Sequence, residues 1–132
     1  MRSLDTNVLV RYLAADHPRH LALSDKVIEE SREAGEPLFL SVIVVCELVW
    51  VMAQSYKRPK AQIIEHLESI LGTKQFQVEQ DALVRRALET WRSGRANFTD
   101  YLIGEISREA GCRDTVTFDL GLRGPAGFTV LS

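Results

Sequence analysis

The side chains best suited to chemistry in this sequence are four carboxylates, Asp5, Glu47, Asp100 and Asp119. Oxygen ligands of this kind suit hard cations such as Mg²⁺ and Mn²⁺, and no constellation of Cys and His suggests zinc. Carboxylates gathered at one place repel each other unless a cation joins them. A metal ion held in this way activates water and stabilises charge on a phosphoryl oxygen. The chemistry indicated is phosphodiester hydrolysis without a covalent intermediate.

Glu47 is the most informative of the four because it interrupts the apolar segment SVIVVCELVWVMA, residues 41–53. Nearly every face of this segment is apolar, so we expect a largely buried helix. A lone buried carboxylate is costly unless it finds a partner. Two interpretations stay open: Glu47 pairs with an arginine or the backbone, or it is a ligand for a metal beside the helix.

The other three acids are weak signals when each is taken alone. Asp5 and Asp119 come directly after two short predicted strands, where Asp is common in turns. Asp100 lies early in a predicted helix, where an acid is favoured by the helix dipole. Together, the three point to one sheet edge, because ligand sites in open parallel sheets form at the carboxyl ends of the strands.

Short apolar segments alternate with longer amphipathic ones along the chain. We predict strands at 2–5, 37–40, 76–78, 115–118 and 128–131, with a Gly/Pro-rich turn over 121–127. We predict helices at 6–14, 20–34, 42–54, 81–92 and 98–110, and a further one beginning at Pro59. This alternation favours an α/β fold with a parallel sheet covered on both faces.

Length and composition favour one soluble domain over residues 1–132, with 45% hydrophobic and 26% charged residues. No apolar signal segment precedes Asp5, and the longest apolar run, Val42–Met52, is too short to cross a bilayer. We therefore expect a cytoplasmic protein without membrane association. Cys46 and Cys112 are interpreted as reduced core residues. The three histidines, His17, His20 and His66, are interpreted as surface residues.

The net charge of −2 does not by itself indicate a nucleic-acid partner. When the four candidate ligands are set aside, however, 16 basic and 14 acidic residues remain, so the rest of the chain is slightly basic. Most basic side chains are expected on solvated helix faces. Those that could follow RNA phosphates are Arg11, Lys57, Arg58, Lys60, Arg85, Arg86, Arg92 and Arg95.

Four motifs containing these acids resemble those of the PIN-domain nucleases. They are LDTNVLV (4–10), CELVWV (46–51), NFTDYLI (97–103) and the segment GCRDTVTFD (111–119). Their order and spacing also fit, and the resemblance extends over nearly the whole chain. The small size and the absence of appended domains resemble the VapC toxins of toxin–antitoxin modules. Gly104 and Glu105 stand where small apolar residues are usual in the family.

The resemblance implies a three-layer α/β/α fold with a short central parallel sheet, and an endoribonuclease that uses Mg²⁺ or Mn²⁺. Carried over by position, the four acids match the family's metal-binding acids, and Asn7 and Thr117 match the polar residues that support them. The resemblance also implies a homodimer and a cognate antitoxin whose tail fills the active-site groove. We expect the antitoxin to dock an apolar helix, with an Arg or Lys near the acids. The residues that could form that docking surface are Leu9, Tyr12, Leu13 and Leu23, and the other interpretation is that they are ordinary core residues.

Three other functions remain open. An aspartyl-phosphate phosphatase also has an Asp at the first strand end, but it needs a second Asp where this chain has Asn7. A housekeeping RNA-processing PIN nuclease would have the same chemistry without the toxin role. A non-catalytic PIN-like interaction module would have the fold without the reaction.

Overall fold

The computed structural model describes residues 1–125 and 127–132, so Ala126, in the predicted Gly/Pro-rich turn, lies outside the described residues. The chain divides into two compact units, Met1–Asp81 and Ala82–Ser132. Each unit contains strands that pair in parallel, and helices connect them. The α/β class with parallel pairing is confirmed. The expectation of one domain over residues 1–132 stays a prediction.

The first unit is built on a three-stranded parallel sheet in the order β1-β2-β3. Strand β1 covers Arg2–Ser3, β2 covers Leu38–Leu40, and β3 covers Phe76–Val78. Leu38 pairs with Arg2 on one side and with Phe76 on the other, so the first residues of the three strands are in register. Because parallel neighbours need a crossover connection, two helices stand between each pair of successive strands.

Those connections are α1 (Thr6–Ala14) and α2 (Pro18–Ala34), then α3 (Val42–Gln54) and α4 (Lys60–Gly72). Helix α1 packs against α2 and α3, and α3 also packs against α4. The core of this unit contains the fully buried side chains Leu9, Leu38, Leu40, Val45, Leu48, Met52, Ile63, Leu67 and Ile70. Burial of these apolar side chains is the main favourable contribution to the stability of the unit.

The second unit contains α5 (Asp81–Ser93, whose first residue belongs to the first unit), α6 (Phe98–Glu109), β4 (Thr115–Thr117) and β5 (Phe128–Val130). Strands β4 and β5 pair in parallel, with Thr115 beside Phe128. Trp91 of α5 and Phe98 of α6 are buried, with ring centroids 5.8 Å apart. A short 3-10 helix, Leu120–Leu122, lies between the strands and was not predicted.

Helix ends follow the capping residues that the sequence shows. The Ser41 side chain accepts from the Val44 amide at 3.2 Å, as expected for the start of α3. Gly35 ends α2 in the left-handed conformation with φ +68°, where glycine avoids the clash of a Cβ. Helix α2 begins earlier than predicted, at Pro18, because the His17 ring accepts from the His20 amide and proline suits the first helical position.

Two expectations about surface and core need correction. Both cysteines are reduced thiols, as expected, but Cys112 is exposed and Cys46 is only half-buried, so neither is a core residue. Of the histidines, only His20 is exposed, whereas His17 and His66 are half-buried. In the described part of the chain, no helix is long and apolar enough to cross a membrane. The cytoplasmic location stays a prediction.

Candidate active site

Asp5 lies where strand β1 has ended and helix α1 begins. Its Oδ1 accepts a hydrogen bond from the Val8 amide at 3.1 Å, so Asp5 is the N-cap of α1. This bond holds the exposed carboxylate at the positive end of the helix dipole. Asn7, predicted to support the acids, is exposed one turn into the same helix.

Glu47 is exposed, and the expectation that it is buried is wrong. Helix α3 packs through its other faces, and the outward face carries Ile43, Glu47 and Trp50 at helical spacing. The apolar outward positions made the helix look buried on every side. No ion pair of Glu47 occurs among the described residues, so the interpretation as a buried pair with an arginine is not supported.

Thr6 joins the first two acidic motifs and was not identified from the sequence as a site residue. Its hydroxyl donates to Glu47 Oε1 at 3.2 Å, although 41 positions separate the two residues. The Thr6 side chain is buried, and Thr6 directly follows Asp5. Asp5 and Glu47 are therefore positioned near each other by one buried hydroxyl. The only signal in the sequence was a threonine directly after the first acid.

Asp100 occupies the first turn of α6. Its Oδ2 accepts from the Asn97 amide at 3.0 Å, a bond that satisfies a backbone donor at the start of the helix. The Asp100 side chain is half-buried, and Phe98, the first residue of the helix, is fully buried. The bond at the start of α6 therefore orients the carboxylate.

Asp119 caps the short 3-10 helix that follows β4. Its Oδ1 accepts from the Gly121 amide at 2.8 Å, and its own amide donates to Thr117 Oγ1 at 3.0 Å. A Cβ at Gly121 would lie 3.6 Å from the Ala96 amide nitrogen, so the Asp119 turn sits against the segment that leads into α6. Within the second unit, the turn that carries Asp119 is thereby close to the segment preceding Asp100.

The four carboxylates share one local arrangement. Each uses an oxygen to accept a hydrogen bond from a nearby amide or hydroxyl. Across residues 1–125 and 127–132, none of the four forms an ion pair with Lys or Arg. Over the same residues, no group of three or more His, Cys, Asp or Glu side chains is arranged so that it could hold a metal ion. The donor type fits Mg²⁺ or Mn²⁺. Within the first unit Thr6 links the Asp5 motif to Glu47, and within the second unit the Asp119 turn packs against the segment that precedes Asp100.

An apolar groove lies between α1 and α2, with a volume of about 280 Å³. Val8, Leu23 and Val27 supply its apolar lining, and Asp5 and Asn7 also face it. The four predicted docking residues differ in how exposed they are. Leu23 is 53% exposed and lines the groove, whereas Leu9 is 0% exposed and belongs to the core. The two others, Tyr12 and Leu13, are half-buried.

We expect Leu9→Ala to destabilise the protein by about 2–5 kcal/mol, because it removes a fully buried side chain and leaves a cavity. The matched variant Leu23→Ala should change the free energy of unfolding by no more than about 0.5 kcal/mol, since its side chain is largely in solvent. Denaturant titration of both variants measures the difference. Equal, small losses for the two would contradict the placement of Leu9.

Gly104 and Glu105, which depart from the usual family pattern, have structural roles in the second unit. A Cβ at Gly104 would lie 2.5 Å from Cζ of Phe128, so glycine lets that ring pack closely on α6. Buried Glu105 pairs with Arg86 (Nε, 3.0 Å) and Arg108 (Nη1, 3.6 Å). Arg86, one of the candidate RNA contacts, is thus engaged in an ion pair.

Other predicted phosphate contacts also have partners. Arg11 forms an ion pair with Asp16 at 3.3 Å, and the Arg58 guanidinium lies over the Tyr56 ring at 5.8 Å from its centroid. Arg92 pairs with Glu89 at 3.0 Å. Arg95 is exposed beside the Asp119 turn. Arg95 therefore lies close to the fourth acidic motif, and Arg11 lines the same groove as Asp5.

Comparison with known proteins supports the resemblance to the PIN-domain nucleases. Residues 3–127 match the PIN domain family. The chain is 30% identical over 118 residues to a VapC ribonuclease of Aquifex aeolicus (strain VF5), an alignment that covers 89% of this chain and 87% of that protein. The parallel strands joined by helices are the α/β/α fold expected from the motifs. The chain therefore belongs to the PIN-domain family, in which its similarity is to nucleases of the VapC type.

Proposed function

We propose that this protein is a metal-dependent endoribonuclease and the toxin of a toxin–antitoxin module. The observation that carries the proposal is the set of four carboxylates, Asp5, Glu47, Asp100 and Asp119, each oriented by a local hydrogen bond. Membership of the PIN family and similarity to a VapC ribonuclease support it. Exposed carboxylates without a cationic partner are suited to binding a divalent ion.

The four acids would hold Mg²⁺ or Mn²⁺. When bound, such an ion supplies an activated water and stabilises the charge that develops on the phosphoryl group. The chain's own part is preorganisation. Thr6 orients Glu47, and the starts of α1, α6 and the 3-10 helix orient the three aspartates. Asn7 and Thr117 support this set, the latter by accepting from the Asp119 amide.

We propose that a cognate antitoxin keeps the enzyme inactive by binding the groove between α1 and α2. Apolar Leu23 and Val27 would receive an apolar helix face, and Asp5 beside them would accept a bond from an Arg or Lys. The positive charge of that Arg or Lys side chain would replace the charge of the metal ion beside the carboxylates. The groove thus offers both an apolar surface and an acid that the enzyme uses.

We expect expression of this protein alone to arrest growth, and co-expression with the small protein encoded next to it to restore growth. The physical reason is that cleavage of cellular RNA continues until a partner covers Asp5. Colony counts after induction measure the effect, with Asp100→Asn as the inactive control. Harmless expression of a protein that cleaves RNA in vitro would instead indicate a housekeeping RNA-processing nuclease. A well-folded protein that cleaves no RNA in a mixed pool would indicate a non-catalytic interaction module.

We further propose that the protein forms a homodimer in the cytoplasm. Ile43 and Trp50 on the outward face of α3 expose large apolar side chains that support self-association, provided that the contact leaves Glu47, on the same face, open to RNA. Large exposed apolar groups of this kind often mark protein interfaces.

A further inference from the structure

Phe118, directly before Asp119, is 80% exposed, the highest exposure of any large apolar side chain in the described chain. Val116 and Leu120, two positions away on either side, are also exposed. An aromatic ring left in water at this position makes no contribution to a core. It stands instead on the segment that carries one of the proposed metal ligands.

The backbone around Phe118 is held in place. Thr117 Oγ1 accepts from the Asp119 amide, and the Asp119 carboxylate accepts from the Gly121 amide. Strand β4 ends at Thr117 and the 3-10 helix begins at Leu120. The ring is therefore presented from a fixed segment, which lowers the entropy that a ligand must remove on binding.

Two exposed arginines lie on segments close to the one that carries Phe118. Arg123 is exposed just after the 3-10 helix, and Arg95 is exposed in the segment against which the Asp119 turn packs. Neither arginine forms an ion pair with another described residue. An exposed aromatic ring near uncompensated arginines is typical of surfaces that bind single-stranded nucleic acid.

We infer that Phe118 binds the RNA substrate by stacking on a base next to the phosphate that is cleaved. The inference rests on the proposed function and adds a binding residue to it. A protein partner fits this surface less well, since the exposed ring directly precedes Asp119, a proposed metal ligand that the RNA phosphate must reach. The two arginines would contact the adjoining phosphates.

The test measures RNA affinity rather than cleavage. Phe118 is replaced in the Asp100→Asn background, so that a short single-stranded RNA of random sequence stays intact, and fluorescence anisotropy reports binding. We expect Phe118→Ala and Phe118→Leu to raise the Kd by about 5- to 150-fold, as for loss of one stacked base. Phe118→Trp should stay within about twofold of the Phe118 protein, because the π face is kept. Ile106→Ala, at an exposed apolar position of α6 outside the four motifs, should leave the Kd unchanged.

The outcomes separate this inference from the proposed function. An unchanged Kd for Phe118→Ala overturns the inference, even if the unmodified protein cleaves RNA. Full affinity in Phe118→Leu also overturns it, because a general apolar contact and not stacking would then be responsible. Stacking-dependent binding by an unmodified protein that cleaves no RNA would overturn the proposed activity and leave the role of Phe118 intact.

Discussion

Asp100→Asn should lower the rate of RNA cleavage by at least about a hundredfold, which corresponds to about 2.7 kcal/mol of transition-state stabilisation. The substitution removes one negative charge from the proposed ligand set and keeps the volume of the side chain. The carboxamide oxygen can still accept from the Asn97 amide, so the start of α6 should be retained. Initial rates on a mixed RNA pool and a thermal melt of the same sample give the two readings.

Glu109→Gln is the matched control, since Glu109 is exposed on the same helix and belongs to no motif. Its rate should equal that of the unmodified protein. Glu47→Gln should behave like Asp100→Asn, because Glu47 is also a proposed metal ligand and its exposed carboxylate is not part of the core. Full cleavage by a well-folded Asp100→Asn protein would remove Asp100 from the site.

Chelation of divalent ions should abolish cleavage, and Mg²⁺ or Mn²⁺ should restore it. Carboxylates without a bound cation provide neither an activated water nor compensation for phosphoryl charge. A metal that binds only the folded protein should also stabilise it, by about 2.7 kcal/mol when the free ion is at about 100 times its Kd. Cleavage assays with excess EDTA and thermal melts over a metal titration measure the two effects.

The control for the melting experiment is Asp100→Asn, which should show a smaller metal-dependent rise in Tm than the unmodified protein. A monovalent salt at equal ionic strength separates specific binding from general screening of charge. Undiminished cleavage in excess EDTA would show that the carboxylates act without a metal.

Several elements were predictable from residue type and spacing. Helix α1 begins at Thr6 and ends at Ala14 as predicted, and β3 is Phe76–Val78 in both. Ser41, Gly35 and Gly111 mark helix ends because capping and positive φ are local properties. The other four strands, β1, β2, β4 and β5, are one or two residues shorter than predicted, since pairing with a neighbour decides where a strand stops. The 3-10 helix depends on a bond from one side chain, and periodicity does not reveal such a turn.

Glu47 was selected as a candidate metal ligand because it was expected to be buried, and that expectation is wrong. An apolar segment looks buried on all faces, yet only packing decides which face meets a neighbour, and here Glu47 lies on the free one. Its bond to Thr6 joins residues 41 positions apart, which no local pattern shows. Leu9 is the opposite case. Its apolar side chain was expected at a docking surface, and its position between packed elements makes it core.

The sequence by itself determined the α/β class, the helix caps and the four acidic motifs, because each depends on neighbours within a few residues or on the order of motifs. Only the tertiary structure decided which side chains are exposed and how the acids are oriented. Exposure depends on which faces pack together, and orientation depends on hydrogen bonds such as Thr6 to Glu47 and Gly121 to Asp119. The same physical reason left Phe118 unnoticed in the sequence: a phenylalanine after a strand is expected in a core, and only the packing of its neighbours leaves this ring in solvent.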